Sequence, residues 1–272
     1  VKRRLYKNAG LVEVIAELHW ELKGIQIAPG AKVDPFYDLF REKFLGVARA
    51  KGFAFQETVV PVEVPLELLP NKPRERVRAS EGAWPLYQIG PGIFTANVVP
   101  PYSGWIDFRK TLLAGVEMLL ECYPSASQYM KVSQLELRYI DAYTSRHGFS
   151  DFAKYVPQHL NFSLPMSDDF LSKYVADRSS YEFIGEAQFR ATKPTNAFSA
   201  IKLSPGFANN ERAAVMQILT RSDGPAGQHA SEADAIMKWF DEAHESTNAW
   251  FEEILKPQLR EAIGPLTEEE IQ

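Results

Sequence analysis

The sequence predicts an α+β fold: antiparallel sheets with helices packed on one side, arranged as two similar β-α-β-β-β-α halves. Three observations lead there. The first long strand alternates apolar and polar residues. Three segments carry apolar residues at helical spacing. The order strand, helix, three strands, long helix occurs twice, with negligible identity between the copies. The halves are expected at residues 1–127 and 128–272, as a pseudo-duplication forming one unit, and their sheets could merge or curl into a trough or barrel-like arrangement.

The opening strand is expected from Val12 to Lys23, with Val14, Ala16, Leu18 and Trp20 on one face and Glu13, Glu17, His19 and Glu21 on the other. Asp34-Pro35 opens a helix through capping and a proline at the first position, with Phe36, Phe40, Phe44 and Val47 on its apolar side and Gly52 as its stop. A proline-punctuated stretch, Pro61 to Pro73, reads as loop or edge strand. Strands follow at Arg74–Ala79, Trp84–Ile89 and Ile93–Val99, the last two joined by the turn Gly90-Pro91-Gly92. Ser103 is placed to cap a helix through Leu120, and Pro124 ends it.

In the second half, Val132–Tyr143 is a strand, with Leu135, Leu137, Tyr139 and Tyr143 on one face and Glu136 and Arg138 on the other. Short helices are expected at Asp151–Leu160 and Asp168–Val175, and strands at Glu182–Ala191, Phe198–Leu203 and Ala214–Thr220. Ser231-Glu232-Ala233-Asp234 carries a capping-box pattern before the longest helix, whose stripe is Ile236, Phe240, Ala243, Thr247, Trp250 and Ile254. Pro257 kinks or ends it.

Composition excludes several classes. The 272 residues are 45% hydrophobic and 24% charged, which argues against disordered, collagen-like and disulfide-scaffold chains. No apolar run reaches the roughly 18–20 residues of a membrane span. A net charge of −5 gives no whole-chain case for nucleic acid or anionic membrane. The single Cys122 excludes an internal disulfide, and with no apolar stretch behind Lys2-Arg3-Arg4 the expectation is a cytoplasmic protein without a signal peptide.

Several short motifs occur together: Val12-Glu13-Val14, Leu86-Tyr87-Gln88-Ile89-Gly90-Pro91, Asn97, Tyr102-Ser103-Gly104-Trp105, Leu137-Arg138-Tyr139, and His244 with Phe251 on the closing helix. In this combination the chain resembles an uncharacterised, sporadically distributed bacterial family of about this length. It departs from that family's pattern at Leu11, where Pro-Ile is expected, and at Asp141, where Asn is usual. The resemblance brings no established activity. It implies a role near mobile elements, in phage defence or at toxin–antitoxin loci.

Two constellations could carry chemistry. Glu17, His19 and Glu21 stand on one strand face at i, i+2, i+4, a donor set for a divalent cation. Glu21-Leu22-Lys23 loosely resembles the end of the Glu-x-Glu-x-Lys strand of triphosphate tunnel enzymes, with His19 breaking the motif. The favoured reading is a solvated face with mixed charge. Arg74, Arg76 and Arg78 also share a face and could hold phosphate bidentately, joined by Arg138 and Arg190 from the second half. Against this stands an edge strand protected by charge. His147 and His159 fall in polar segments read as exposed, His229 in a loop, and His244 at a helix edge with its N–H satisfied. Nucleophile-elbow, P-loop and dinucleotide fingerprints are absent from the sequence.

The expected function is therefore a binding or protein-interaction module with a protein partner or a small phosphorylated ligand. No cofactor is called for. A metal-dependent phosphohydrolase working in a β-trough is the alternative.

Overall fold

The computed structural model describes residues 6–266 except 23, 25, 29–30, 33, 62, 66–67 and 223–228. The basic N-terminus, Lys23 and the acidic Glu268-Glu269-Glu270 tail lie outside the described residues.

The sheet follows from the alternation seen in the sequence. The strands are β1 (Leu11–Trp20), a small hairpin β2 (Gln26–Ala28) and β3 (Ala31–Lys32), β4 (Phe55–Thr58), β5 (Glu75–Arg78), β6 (Leu86–Gly90), β7 (Ile93–Val98), β8 (Val132–Tyr143), β9 (Gly185–Arg190), β10 (Phe198–Ala208) and β11 (Glu211–Arg221). Nine of them form one antiparallel sheet in the order β4-β5-β6-β7-β1-β8-β11-β10-β9. The opening strands of the two halves, β1 and β8, pair at its centre, with Ala16 opposite Leu137 and Leu18 opposite Leu135. Each is flanked on its outer side by the last strand of its own half, β7 or β11. The sheet stays open, with β4 and β9 as edges, so the barrel-like closure is not formed.

The helices α1 (Tyr37–Ala50), α2 (Trp105–Cys122) and α6 (Ala233–Ile254) cover the apolar face. Between and after the long helices lie α3 (Ala126–Tyr129), α4 (Phe152–His159), α5 (Asp168–Tyr174) and α7 (Pro257–Ile263). Val14, Ala16, Leu18 and Trp20 of β1 and Leu135 and Leu137 of β8 are buried against Phe40, Phe44, Leu112, Val116, Leu119, Ile236 and Phe240. Apolar area removed from water, at roughly 25 cal/mol per Å², is what holds the helices on the sheet. This core draws on both halves, and a second cluster gathers Tyr143, Tyr155, Leu203, Met216, Leu255 and Leu259 around α4 and α7.

Several local expectations shift for physical reasons. The first helix begins at Tyr37, two residues after Pro35, and Asp34 accepts from the Phe36 N–H at 3.0 Å. Gly104, at φ 99°, takes the N-cap position of α2 in place of Ser103. The Ser231 hydroxyl donates to the Met130 carbonyl at 2.6 Å, so no side chain caps α6, whose N-cap is Glu232. Pro257 starts α7, where its missing N–H has no intrahelical partner to lose. The strand expected to stop at Leu203 runs to Ala208. Its neighbour β9 pairs only as far as Leu203, which leaves Pro205 on an outer edge where no ladder donor is needed. Asn209 and Asn210, both at positive φ, then turn the chain into β11.

Candidate functional site

The polar face of the sheet carries both constellations singled out in the sequence. A row of aligned residues crosses it: Glu57, Arg76, Gln88, Thr95, Glu17, Glu136 and Arg221, from β4 through to β11. The arginine strand and the Glu17 strand therefore share a face. They do not share a site. Strands are spaced by roughly 4.8 Å, so β5 stands about 14 Å from β1 and about 19 Å from β8, which carries Arg138. Six strands separate β5 from β9, which carries Arg190.

The arginines are also occupied. Arg74 is buried and donates to the Val64 carbonyl. Arg76 donates to Gln88 Oε1 at 3.2 and 3.3 Å and approaches Glu57 at 3.8 Å. Arg78 binds Glu57 at 2.8 Å and the Ala83 carbonyl at 3.2 Å, with its guanidinium 4.9 Å from the Trp84 ring centre. Arg138 is bonded to Glu136, and Arg190 donates to the Asn196 carbonyl at 3.3 Å. The five arginines are thus dispersed over the sheet; Arg76, Arg78 and Arg138 are paired with acids, while Arg74 and Arg190 donate to backbone carbonyls and Arg74 Nη1 is buried without a hydrogen-bond partner among the described residues. Nor is β5 an edge strand, because β4 covers its outer side.

The metal set fares similarly. Glu17 and His19 bind each other at 3.0 Å, and Glu21 lies past the end of β1, its N–H donating to the Lys131 carbonyl. Among the described residues no three such side chains are placed to hold a metal ion. Burial would raise the Glu17 carboxyl, but the bonded His19 ring, with Arg138 and Lys72 nearby, leaves it below its ordinary value. Burial raises Glu136, helped by the like charge of Glu17 and opposed by Arg138.

The opposite face holds a cavity of about 450 Å³ between the sheet and helices α2 and α6. Its sheet side is built by alternation along β8: after Leu135 and Leu137, which are buried in the main core, Tyr139 and then Asp141 face the same way and line the cavity. Leu11 of β1 and Ile218 of β11 complete that wall. From above, α6 presents His244, Thr247, Asn248 and Phe251, spaced so that all four fall on one helical face. Tyr102 and Trp105 contribute from the start of α2.

Further contacts stiffen the wall. The Trp105 and His244 rings stack at 4.5 Å with an interplanar angle of 7°. His244 Nδ1 and the Tyr139 hydroxyl are 2.8 Å apart, and Trp105 Nε1 donates to Asp241 at 2.9 Å, a carboxylate also gripped by Arg109.

A strap, residues 6–10, closes one side. Lys7 and Asn8 N–H groups donate to the Gly264 and Ile263 carbonyls at 2.8 and 2.9 Å, and Ala142 N–H donates to the Gly10 carbonyl at 2.7 Å. A Cβ at Gly10 would stand 2.6 Å from the Tyr143 ring, so only glycine fits there. His147, expected to be exposed, is fully buried beneath this strap. Its Nδ1 accepts from the Thr144 N–H at 3.0 Å, which makes Nε2 the donor to the Asn8 carbonyl at 3.1 Å. Burial, with Arg146 beside it, lowers its pKa and keeps it neutral. The other histidines line no such site: His159 stacks on Tyr155 at 4.2 Å, and His229 bridges to Val132.

Asp141, which the sequence marks only as a departure from the family pattern and not as a candidate site residue, stands at the centre of this wall. It sits at i+2 between Tyr139 and Tyr143, an acid on an otherwise apolar face, and that misfit was the available signal. It is 4% exposed, and burial pushes its carboxyl up to about 7. Of the motif residues quoted above, Tyr102, Trp105, Tyr139, His244 and Phe251 all meet here, as do both points of departure, Leu11 and Asp141.

Comparison with protein-family models, curated proteins and solved structures finds no match for this chain. Among the described residues no helix is long and apolar enough to cross a membrane.

Proposed function

We propose that the protein is a binding module that takes a small molecule, with an apolar body and one polar head, into the cavity beneath α2 and α6. One observation carries this reading: a volume of about 450 Å³ with aromatic walls around a buried carboxylate. Ligand sites have this form, mostly apolar with a few convergent polar groups, at roughly 300–1,000 Å³. Nothing comparable supports the phosphohydrolase alternative, whose arginines and acids are spread over several strands of the opposite face, with Arg76, Arg78, Arg138, Glu17 and His19 bonded to protein groups.

Titration calorimetry with tryptophol, a neutral indole alcohol, tests the reading. Saturable binding to the wild type is expected, and Asn248→Trp, which fills the cavity from α6, should abolish it while circular dichroism remains native. Undiminished binding to a folded Asn248→Trp protein overturns it, as does absence of saturable wild-type binding by tryptophol and by its cationic and anionic analogues tryptamine and indole-3-acetate alike.

A further inference from the structure

The chemistry of the ligand's head can be read from what Asp141 lacks. Its cross-strand neighbours are Leu11 and Met216, and Tyr139 and Tyr143 flank it on its own strand face. Among the described residues no hydrogen-bond donor or cation is bonded to its carboxylate. A buried acid in that position is costly to ionise, and only a donor or a positive charge brought into the cavity removes the cost. Burial alone accounts for the raised carboxyl pKa, in keeping with a group whose counter-charge is not supplied by the described residues.

The walls suit the same kind of guest. The rings of Tyr102, Trp105, Tyr139 and Phe251 line the space, and the faces of such rings attract cations. At the exposed rim, Lys7 and Arg146 are the charged groups, and both are positive. They would repel a second cation there, so the outward end of the guest is neutral or anionic.

We propose that the ligand carries a protonated primary or secondary amine, which docks on the Asp141 carboxylate while its aromatic or aliphatic body packs between Trp105, Tyr139 and Phe251. An ammonium group supplies two or three donors, and a carboxylate accepts them in charge-assisted bonds. The assignment rests on the reading of the cavity as a ligand site and adds the class of ligand to it.

Three probes with one ring and a two-carbon side arm separate the possibilities: tryptamine, tryptophol and indole-3-acetate, titrated calorimetrically into the full chain near neutral pH. The wild type is expected to bind tryptamine at least about tenfold more tightly than tryptophol, with indole-3-acetate weakest. Asp141→Asn should lose the preference for tryptamine and bind tryptamine and tryptophol with similar affinity. Equal binding of tryptamine and tryptophol to the wild type overturns the amine assignment and leaves the cavity reading standing. A tryptamine preference that survives in folded Asp141→Asn does the same. Failure of all three probes overturns the cavity reading itself. The wild-type ratio decides the matter even if the variant does not fold.

Discussion

On one face of β8, Glu136 lies against Arg138, and across the β1 boundary Glu17 lies against His19. On the other face, further along the strand, Asp141 lies among aromatic rings with no partner bonded to it among the described residues. The first face has far more charge, and the second has one acid. Yet the crowded face is chemically closed, because each carboxylate named there is answered by a basic side chain two residues along its own strand. The sparse face is open. Charge density in a sequence therefore points poorly to a site. An uncompensated group in a space large enough to admit a compensating one points better.

The contrast can be broken by variants on each face. Trp105→Ala should be the most damaging, costing about 3–5 kcal/mol, since Trp105 is 7% exposed, stacks on His244 and donates to Asp241. Urea denaturation checks this, and a cost below about 1 kcal/mol would mean that the aromatic wall is not packed as described.

Asp141→Asn should act in the opposite direction. The folded-state carboxyl lies above its unfolded value, so the folded protein holds the extra proton, and stability falls as pH rises from the ordinary carboxylate range through about 7. The amide cannot ionise, so above that window the variant should be more stable than the wild type by about 1–3 kcal/mol. The two should converge near pH 4, where both side chains are neutral. Thermal melts across the pH range test it, and an equal gap at all pH values would assign the effect to packing.

Glu136→Gln should have the smallest effect, a loss of no more than about 1 kcal/mol. It removes the partner of a partly exposed Arg138, but it also relieves repulsion with Glu17. A large loss would show that the polar face depends on its charges as strongly as the other face depends on its rings.

Much of the fold was legible because alternation and helical spacing are written residue by residue. β8 runs from Val132 to Tyr143 as its pattern predicts, and the stripes of α1, α2 and α6 are buried along their sheet-facing sides. Less legible were features decided by partners distant in the chain. Whether Ser231 caps a helix depends on the Met130 carbonyl, and how far β10 runs depends on where β9 ends. The site was harder still. His147 sits in a polar stretch, but the strap at Asn8 buries it. Tyr102, Tyr139 and His244 become one wall only when α2, β8 and α6 are brought together. Cross-strand neutralisation of Arg76 by Gln88 and Glu57 depends on pairing register, which local spacing does not encode.

The strap over the cavity joins positions near opposite ends of the described chain, with Lys7 and Asn8 bonded to Gly264 and Ile263. Contacts of such long sequence separation are paid for late in folding, after local and intermediate pairings have shortened the effective loop. The cavity is consequently finished last, when β1, β8, α6 and α7 are already in place. Its strap-side wall is then fixed by the Lys7, Asn8 and Gly10 backbone bonds and by the bond from His147 to the Asn8 carbonyl.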